Sequence, residues 1–264
     1  MTGSLKDLKS NPTWNSKRAM RDHCVELLGA LDAALALTTP QVHLRKTFAR
    51  SFELEQGARL RPESMGNSKA RPGTKRPSTE SLLESAIFDR YRPGTEVVSG
   101  PSRYFIARQV ALYKQKDSEG WGKIDILGMT TDGEPVIVEL KKASSHDTPL
   151  HALLEAACYA VSLRLNWPLL AKEIKQVYRG LSVAANPRFI SLHLMAPETF
   201  WEGYKRWSSS GGGVPRDTQS AFAKLCEGFA KRGLPVTASI VRYPTAWNER
   251  SPISPGNISI EQLW

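Results

Sequence analysis

Three charged residues in two short apolar segments have the types and spacing of a catalytic group. Asp125 lies within the apolar run 124–127, and Glu139 and Lys141 lie two residues apart in the run 136–141. Because a β-strand alternates its side chains between two faces, Glu139 and Lys141 must share a face. Charged groups are costly to bury within apolar strands unless they are paired or bind a metal. The pattern therefore indicates a candidate catalytic site.

The turn between the two segments decides their register. A two-residue turn would place Asp125 opposite Leu140, whereas a three-residue loop, residues 131–133, would place Asp125 opposite Glu139. Glycine as the third loop residue, here Gly133, is typical of the second turn type, because that position has a positive φ. We therefore predict the register in which the two carboxylates face each other.

Directly opposed residues of an antiparallel pair have Cβ atoms about 4.5–5.5 Å apart. Two carboxylates at that separation repel each other unless a cation lies between them. Hard oxygen ligands favour Mg²⁺ or Mn²⁺. The register thus predicts that Asp125 and Glu139 bind one of these ions.

An aspartate, a hairpin of this length and a Glu-x-Lys motif together resemble the PD-(D/E)XK, or restriction-endonuclease-like, nuclease superfamily. The resemblance covers residues 79–159 closely and the remainder by the order of secondary structure alone. It implies that Asp125, Glu139 and the backbone carbonyl of Leu140 bind the divalent metal. It also implies that Lys141 positions or polarises the attacking water and offsets charge that develops on the phosphate.

The same resemblance implies supporting residues on the flanking helices. Many members carry a further acid on the preceding helix, where this chain has Glu80 and Glu84, and of these two we favour Glu80. Many also carry a Gln-x-x-x-Tyr pair on the following helix, where this chain has Glu155 and Tyr159. Glutamate thus replaces the usual glutamine, and a surface hydrogen bond is the alternative role for that pair. The local motif also resembles endonucleases that act on mismatched, branched or single-stranded DNA.

Positive charge is concentrated in the first third of the chain. The 264 residues carry a formal net charge of +10. Residues 1–79 contain 14 basic and 7 acidic side chains, against 22 and 19 in the remainder. This excess suits contact with phosphates and predicts DNA as the partner, with RNA as a second candidate. Solubility is the alternative explanation.

Cysteine usage and hydropathy bear on the compartment. Cys24, Cys158 and Cys226 share no metal-ligand spacing and are interpreted as buried thiols, which favours a reducing cytoplasm. The sequence has no recognisable signal peptide. The longest apolar stretch, residues 27–37, is too short to span a membrane and is interrupted by Asp32.

Hydrophobic periodicity and turn residues predict an α/β fold of the order α-βββ-α-β-α-β, a mixed sheet flanked by helices as in the restriction-endonuclease-like core. An N-terminal extension, residues 1–78, comprises a helix from Ser16 to about Leu37 and a flexible basic linker at 57–78. The nuclease-like domain spans residues 79–264. Its predicted elements are a helix at 80–91, strands at 104–113, 124–130 and 134–141, a helix at 149–165 ended by Trp167-Pro168, a strand at 189–195, a helix at 221–232 and a strand at 235–242.

An aromatic cluster recurs at helical spacing next to Lys205 and Arg206. Its members are Phe200, Trp201, Tyr204 and Trp207. Aromatic side chains interleaved with basic ones can stack on unpaired bases. We favour core packing for this cluster.

The residues together predict a DNA endonuclease that depends on Mg²⁺ or Mn²⁺ and hydrolyses phosphodiester bonds. A homodimer would suit cleavage of both strands. The first alternative is a non-catalytic nucleic-acid-binding or assembly module on the same scaffold. A second alternative is a structural α/β protein whose basic arm serves solubility. The form of the substrate, the recognition sequence and the pathway stay open.

Overall fold

The computed structural model describes residues 24–36, 78–98, 100–102, 104–111, 123–205, 216–247 and 251–264. Several predicted features lie outside these ranges. They are the first turns of the N-terminal helix, the basic linker up to residue 77, the end of the first predicted strand, Trp207 and the aromatic cluster's basic neighbour Arg206.

The described part of the chain contains both helices and strands. The helices are α1 (Cys24–Leu35), α2 (Thr79–Tyr91), α3 (Pro149–Val177), α4 (Glu198–Lys205) and α5 (Arg216–Ala230). The strands are β1 (Tyr104–Ala111), β2 (Lys123–Met129), β3 (Pro135–Leu140), β4 (Ser191–Pro197), β5 (Val236–Arg242) and β6 (Ser259–Gln262). The strand β6, which follows a short 3₁₀ turn at Pro255–Asn257, was not predicted from the sequence.

The six strands form one mixed sheet in the order β1-β2-β3-β4-β5-β6. The pairs β1–β2, β2–β3 and β5–β6 are antiparallel, whereas β3–β4 and β4–β5 are parallel. The helix α2 packs against β1 and β2, α3 against β2, β3 and β4, and α5 against β5. The predicted α/β class with a mixed sheet flanked by helices is confirmed.

The hairpin between β2 and β3 has the predicted register. Ile126 pairs with Val138, and the Thr130 N–H donates to the Glu134 carbonyl over 2.9 Å. Gly133 has a φ of +80° and is the third residue of the loop. Extended by one residue beyond the Ile126–Val138 pair, this register places Asp125 opposite Glu139.

The helix α3 begins as predicted and ends later than predicted. The Thr148 hydroxyl accepts the His151 N–H over 3.2 Å, and Pro149 occupies the first turn, where its missing N–H costs nothing. The predicted end at Trp167-Pro168 is wrong, because α3 continues to Val177.

Burial explains why α3 continues through Pro168. A proline inside a helix removes one backbone hydrogen bond and usually kinks or ends the helix. Here Trp167 is buried and its indole N–H donates to the Ala184 carbonyl over 2.7 Å. Leu170 and Ile174 on the next turns are also buried. The apolar surface that they bury offsets the lost hydrogen bond.

Other predicted boundaries shift by a few residues. The fourth strand starts at Ser191 rather than at 189, and α5 starts at Arg216 rather than at 221. Phe200 and Trp201 of the aromatic cluster are buried, and the Trp201 indole N–H contacts the carbonyls of Ala196 and Ser239 at 3.0 Å. Core packing is therefore confirmed for these two aromatic residues. The side chain of Tyr204 lies outside what the structure describes.

The first described helix shares the hydrophobic core of the sheet. Leu27 and Leu31 of α1 are buried in that core. Asp32 of the same helix forms an ion pair with Arg232, which follows α5, with a 2.5 Å contact between Oδ1 and Nε. The predicted domain boundary at residue 78 stays a prediction, because residues 37–77 lie outside the described ranges.

We predict that Gly133→Ala destabilises the protein by about 3 kcal/mol, because a left-handed non-glycine residue costs about 1–2 kcal/mol and overpacking adds about 1–3 kcal/mol. A Cβ at this position would lie 2.7 Å from the backbone carbonyl of Ser182. Urea unfolding measures the change. The matched control is Gly94→Ala, where φ is +89° and a Cβ would meet nothing within 4 Å. Equal losses in the two variants would contradict the close packing of the hairpin loop.

Candidate metal and catalytic site

The end of β3 carries two buried, oppositely charged side chains. Glu139 is 4% exposed and Lys141, the first residue after β3, is 7% exposed. Lys141 Nζ lies 2.8 Å from Glu139 Oε1. The two side chains therefore share a face of the sheet, as strand alternation predicts.

Asp125 faces the same end of β3 from β2. It is half-buried, and its Oδ2 accepts the backbone N–H of Leu140 over 2.9 Å. In a strand the N–H and C=O of one residue point to the same side, so the Leu140 carbonyl also faces β2. The three predicted metal-binding groups, on Asp125, Glu139 and Leu140, therefore lie at one end of the hairpin.

Glu139 has an oxygen that its neighbours leave unsatisfied. Its Oε2 is buried and accepts no hydrogen bond from the residues that the structure describes. A buried carboxylate oxygen without a partner is costly unless a cation or proton satisfies it. Together with Asp125 and the Leu140 carbonyl it makes an all-oxygen donor set, which is the type that suits Mg²⁺ or Mn²⁺.

The ammonium of Lys141 contacts three carboxylates. Besides Glu139, its Nζ lies 2.5 Å from Glu155 Oε2 and 3.2 Å from Asp147 Oδ2. Burial by itself would lower the pKa of Lys141, but the carboxylates of Glu139 and Glu155 outweigh burial and raise that pKa. Lys141 is therefore a permanent cation at the centre of the site.

The carboxyl groups of Asp125 and Glu139 have raised pKa values. Burial raises the pKa of Asp125 to about 7, while the hydrogen bond from the Leu140 N–H lowers it and the charge of Glu80 raises it. Burial also raises the pKa of Glu139 well above its ordinary value, against the lowering effect of Lys141. In both carboxylates burial is the main cause of the shift, and the charges of neighbouring carboxylates add to it.

The helix α2 brings Glu84 to the site through contacts with β1. Glu84 is 1% exposed, and its Oε2 accepts a hydrogen bond from Gln109 Nε2 over 2.7 Å. Arg108 Nη1 lies 4.0 Å from Glu84 Oε1. Burial and, to a smaller extent, the charge of Asp125 raise the pKa of Glu84 to about 8. Glu84 therefore belongs to the same electrostatic cluster as Asp125.

Glu80, one turn earlier on α2, is half-buried. Burial raises the pKa of Glu80, and Lys141 and Lys142 lower it through their charge. The structure thus brings both predicted glutamates of α2 into the electrostatic surroundings of the site.

The backbone of β1 is strained where it holds Glu84. Gln109 has a φ of +51°, a left-handed conformation that is uncommon for residues other than glycine, asparagine and aspartate. Residues held in this way cost on the order of 1–3 kcal/mol and concentrate at functional sites. Arg108 and Gln109 were not predicted as site residues. Their contacts with Glu84 accompany an unusual backbone conformation at Gln109, which the alternation of side chains along a strand does not reveal.

Glu155 and Tyr159 of α3 lie in the buried cluster rather than at the surface. Glu155 contacts Lys141, and Tyr159 is buried. Burial raises the pKa of the Tyr159 hydroxyl, and the carboxylates of Glu139, Glu155 and Asp125 raise it further. The alternative of a surface hydrogen bond does not fit this placement.

Two residues at the start of α3 were missed. Asp147 Oδ1 lies 3.4 Å from His151 Nδ1, and His151 Nδ1 lies 3.9 Å from Glu155 Oε2. The signal that could have found them is a spacing of four residues: His151 and Glu155 share one face of α3, and Asp147 lies four residues before His151, directly before the cap at Thr148.

Comparison with known proteins assigns no family to this chain. No protein-family model, curated protein or solved structure matches it. Among the described helices, none is long and apolar enough to cross a bilayer. The residues and their geometry are therefore the basis for a functional conclusion.

We predict that Glu84→Gln changes how stability depends on pH. Folded Glu84 keeps its proton up to about pH 8, whereas in the unfolded chain its pKa is near 4.5. Its contribution to stability is therefore complete below pH 4.5 and lost as the pH rises through 8. Since glutamine does not ionise, the variant should gain on the order of 3 kcal/mol relative to wild type between pH 5 and pH 9.

Urea unfolding in the presence of a chelator at the two pH values measures this gain. The control is Glu227→Gln, because Glu227 is exposed on α5. A stability difference between Glu84→Gln and wild type that stays constant with pH would refute the assignment.

Proposed function

We propose that this protein is a nuclease of the restriction-endonuclease-like type, which hydrolyses phosphodiester bonds in DNA with the help of Mg²⁺ or Mn²⁺. The observation that carries the proposal is the convergence of Asp125, Glu139 and Lys141 at one end of the hairpin. An acidic pair opposite a permanent cation can bind a metal ion and a phosphate together.

The order of the elements supports the same scaffold. The helix α2 precedes an antiparallel meander of β1, β2 and β3, and α3 then leads to β4, which is parallel to β3. This is the α-βββ-α-β order that the resemblance to the nuclease superfamily implies. The acidic residues lie on β2 and β3, as they do in that scheme.

The donor set fits a hard divalent cation. Asp125 keeps one oxygen on the Leu140 N–H, which orients the carboxylate, and the buried Glu139 Oε2 lacks a hydrogen-bond partner among the described residues. When bound there, Mg²⁺ or Mn²⁺ would supply Lewis-acid polarisation of a phosphoryl oxygen and lower the pKa of a water ligand.

Lys141 contributes charge and hydrogen bonds rather than proton abstraction. Its raised pKa keeps the side chain protonated, so it is a hydrogen-bond donor throughout the physiological range. Its ammonium can orient the attacking water or balance the negative charge that develops on the phosphate. The second of these roles requires Lys141 to exchange one of its carboxylate contacts for a phosphate oxygen.

Further sequence features support a nucleic-acid partner. The net charge of +10 favours association with phosphates, and the surplus among residues 1–79 exceeds that of the rest of the chain. Cys158 and Cys226 both carry thiols rather than disulfides, which fits the cytoplasm as the compartment. DNA is the substrate that we propose, with RNA as the second candidate.

One observation favours the non-catalytic alternative. Lys141 already contacts three carboxylates, and such a network can be a purely structural ion cluster. In that case the chain would be a nucleic-acid-binding or assembly module on the same scaffold. Calorimetric titration with Mn²⁺ separates the two, because the structural cluster requires no ion that depends on Asp125 and Glu139.

We predict that Asp125→Asn and Glu139→Gln each reduce Mg²⁺-dependent DNA cleavage by at least about 100-fold, since each removes charge that holds the ion and the transition state. The substrates are supercoiled, linear and single-stranded DNA, each with Mg²⁺, Mn²⁺ or chelator. Circular dichroism checks that the variants fold. We expect them to fold, because each substitution removes one of several mutually repelling carboxylates.

The matched control for Asp125→Asn is Asp132→Asn, because Asp132 is an exposed aspartate in the turn of the same hairpin. This control should cleave at the wild-type rate. Wild-type rates for Asp125→Asn and Glu139→Gln would show that these residues are not the catalytic centre.

A further inference from the structure

Three carboxylates surround the ammonium of Lys141, which has three N–H donors. Oxygens of Glu139, Glu155 and Asp147 lie 2.8, 2.5 and 3.2 Å from its Nζ. In the function that we propose, this ammonium must contact the attacking water or a phosphate oxygen of the substrate. One of the three carboxylates must therefore give up its contact with Lys141 when DNA binds.

Glu139 and Glu155 are poorly placed to leave the ammonium. Glu139 lies on β3 and is nearly fully buried, so a loss of its contact with Lys141 would leave a charge unpaired away from water. Glu155 lies within α3, its side chain is 13% exposed, and its contact with Nζ is the shortest of the three. Short charge-assisted hydrogen bonds are the stronger ones. These two carboxylates are therefore expected to stay in place.

Asp147 differs from both in its position, its exposure and the length of its contact. Its side chain is 30% exposed, and its 3.2 Å contact with Lys141 Nζ is the longest of the three. It lies directly before the cap at Thr148 and thus outside α3. Ion pairs that reach solvent contribute little stability, because water replaces the contact when it breaks. Asp147 is therefore the carboxylate whose departure from Lys141 costs least.

Asp147 keeps a partner when it leaves Lys141. Its Oδ1 lies 3.4 Å from Nδ1 of His151, whereas its Oδ2 faces the ammonium. A rotation of the side chain can release Oδ2 while Oδ1 stays near the imidazole. Because Asp147 is the most exposed of the three carboxylates, the side of the ammonium that it vacates is the one open to solvent. A phosphate would approach Lys141 from that side.

We propose that Asp147 is a positioning residue which, in the free protein, occupies the place on Lys141 that a phosphate oxygen of DNA takes on binding. This inference rests on the proposed nuclease function and identifies the carboxylate that limits access to its cation. Asp147 aligns the ammonium with Glu139 until the substrate arrives. It also weakens DNA binding, because its contact with Lys141 has to break first.

Asp147→Asn tests this exchange in the full chain, since asparagine keeps the shape of the side chain and removes the charge that holds the ammonium. We expect the variant to bind a labelled DNA oligonucleotide about 5-fold more tightly than wild type, the size of an exposed ion pair. Fluorescence anisotropy in Ca²⁺, which takes oxygen ligands as Mg²⁺ does, measures this affinity. With Mg²⁺, KM for cleavage should fall by a similar factor while kcat stays near the wild-type value, because the contact is lost before the transition state.

A matched control and a double-mutant cycle separate this exchange from a general change of charge. Asp132→Asn removes an exposed aspartate in the hairpin loop and should bind DNA as wild type does. In a Lys141→Gln background, Asp147→Asn should change the affinity for DNA no more than this control, because no ammonium is left to release. Circular dichroism checks that each variant folds. If Lys141→Gln does not fold, the comparison of Asp147→Asn with Asp132→Asn still decides the proposal.

Equal or weaker DNA affinity in Asp147→Asn than in wild type, or a lower kcat at an unchanged KM, would overturn the exchange and leave the nuclease proposal standing. An equal effect of Asp147→Asn with and without Lys141 would overturn it too. Tighter binding by Asp147→Asn in a chain that cleaves no DNA would support the contact between Lys141 and phosphate and refute hydrolysis. If neither wild type nor Asp147→Asn binds DNA, both proposals fail.

Discussion

The burial of one ammonium group among carboxylates is the constraint on which the organisation of this site depends. Lys141 contacts Glu139, Asp147 and Glu155 where solvent is largely excluded. Breaking a buried ion pair by removing one partner costs about 3–5 kcal/mol, because the remaining charge stays buried and unpaired. The segments that carry Asp147 and Glu155 are therefore held close to the end of β3.

The carboxylates come from elements that are distant in sequence, and each is held by a different local device. The hairpin loop at Gly133 sets the register that brings Asp125 toward Glu139. On β1 the left-handed backbone of Gln109 directs a hydrogen bond to Glu84 of α2. The cap at Thr148 starts α3, which carries Glu155, and Asp147 lies directly before this cap. The sheet thus brings together carboxylates from β2, β3, α2 and α3.

These contacts concentrate acidic side chains at one end of the sheet. Burial raises the pKa of Asp125 and of Glu84, and the charges of their acidic neighbours raise both pKa values further. In a chain whose net charge is +10, such a local acidic centre is a feature of the site and not of the composition. Cation binding would relieve the repulsion, and a phosphate could approach only once that charge is balanced. Metal dependence is therefore the property that links the geometry to phosphodiester hydrolysis in the function that we propose.

The sequence by itself determined the local part of this arrangement. Strand alternation placed Glu139 and Lys141 on one face, and turn chemistry at Gly133 predicted the register of Asp125, because both depend on neighbouring residues alone. Periodicity likewise predicted the α/β class and the mixed sheet flanked by helices.

Only the tertiary structure decided which distant residues join them. Arg108 and Gln109 reach Glu84 through a backbone outlier, and α3 continues through Pro168 because its later turns are buried. The approach of Asp147 to Lys141 depends on how α3 packs against β3. Contacts of this kind arise from packing between elements far apart in the chain, which no pattern of neighbouring residues encodes.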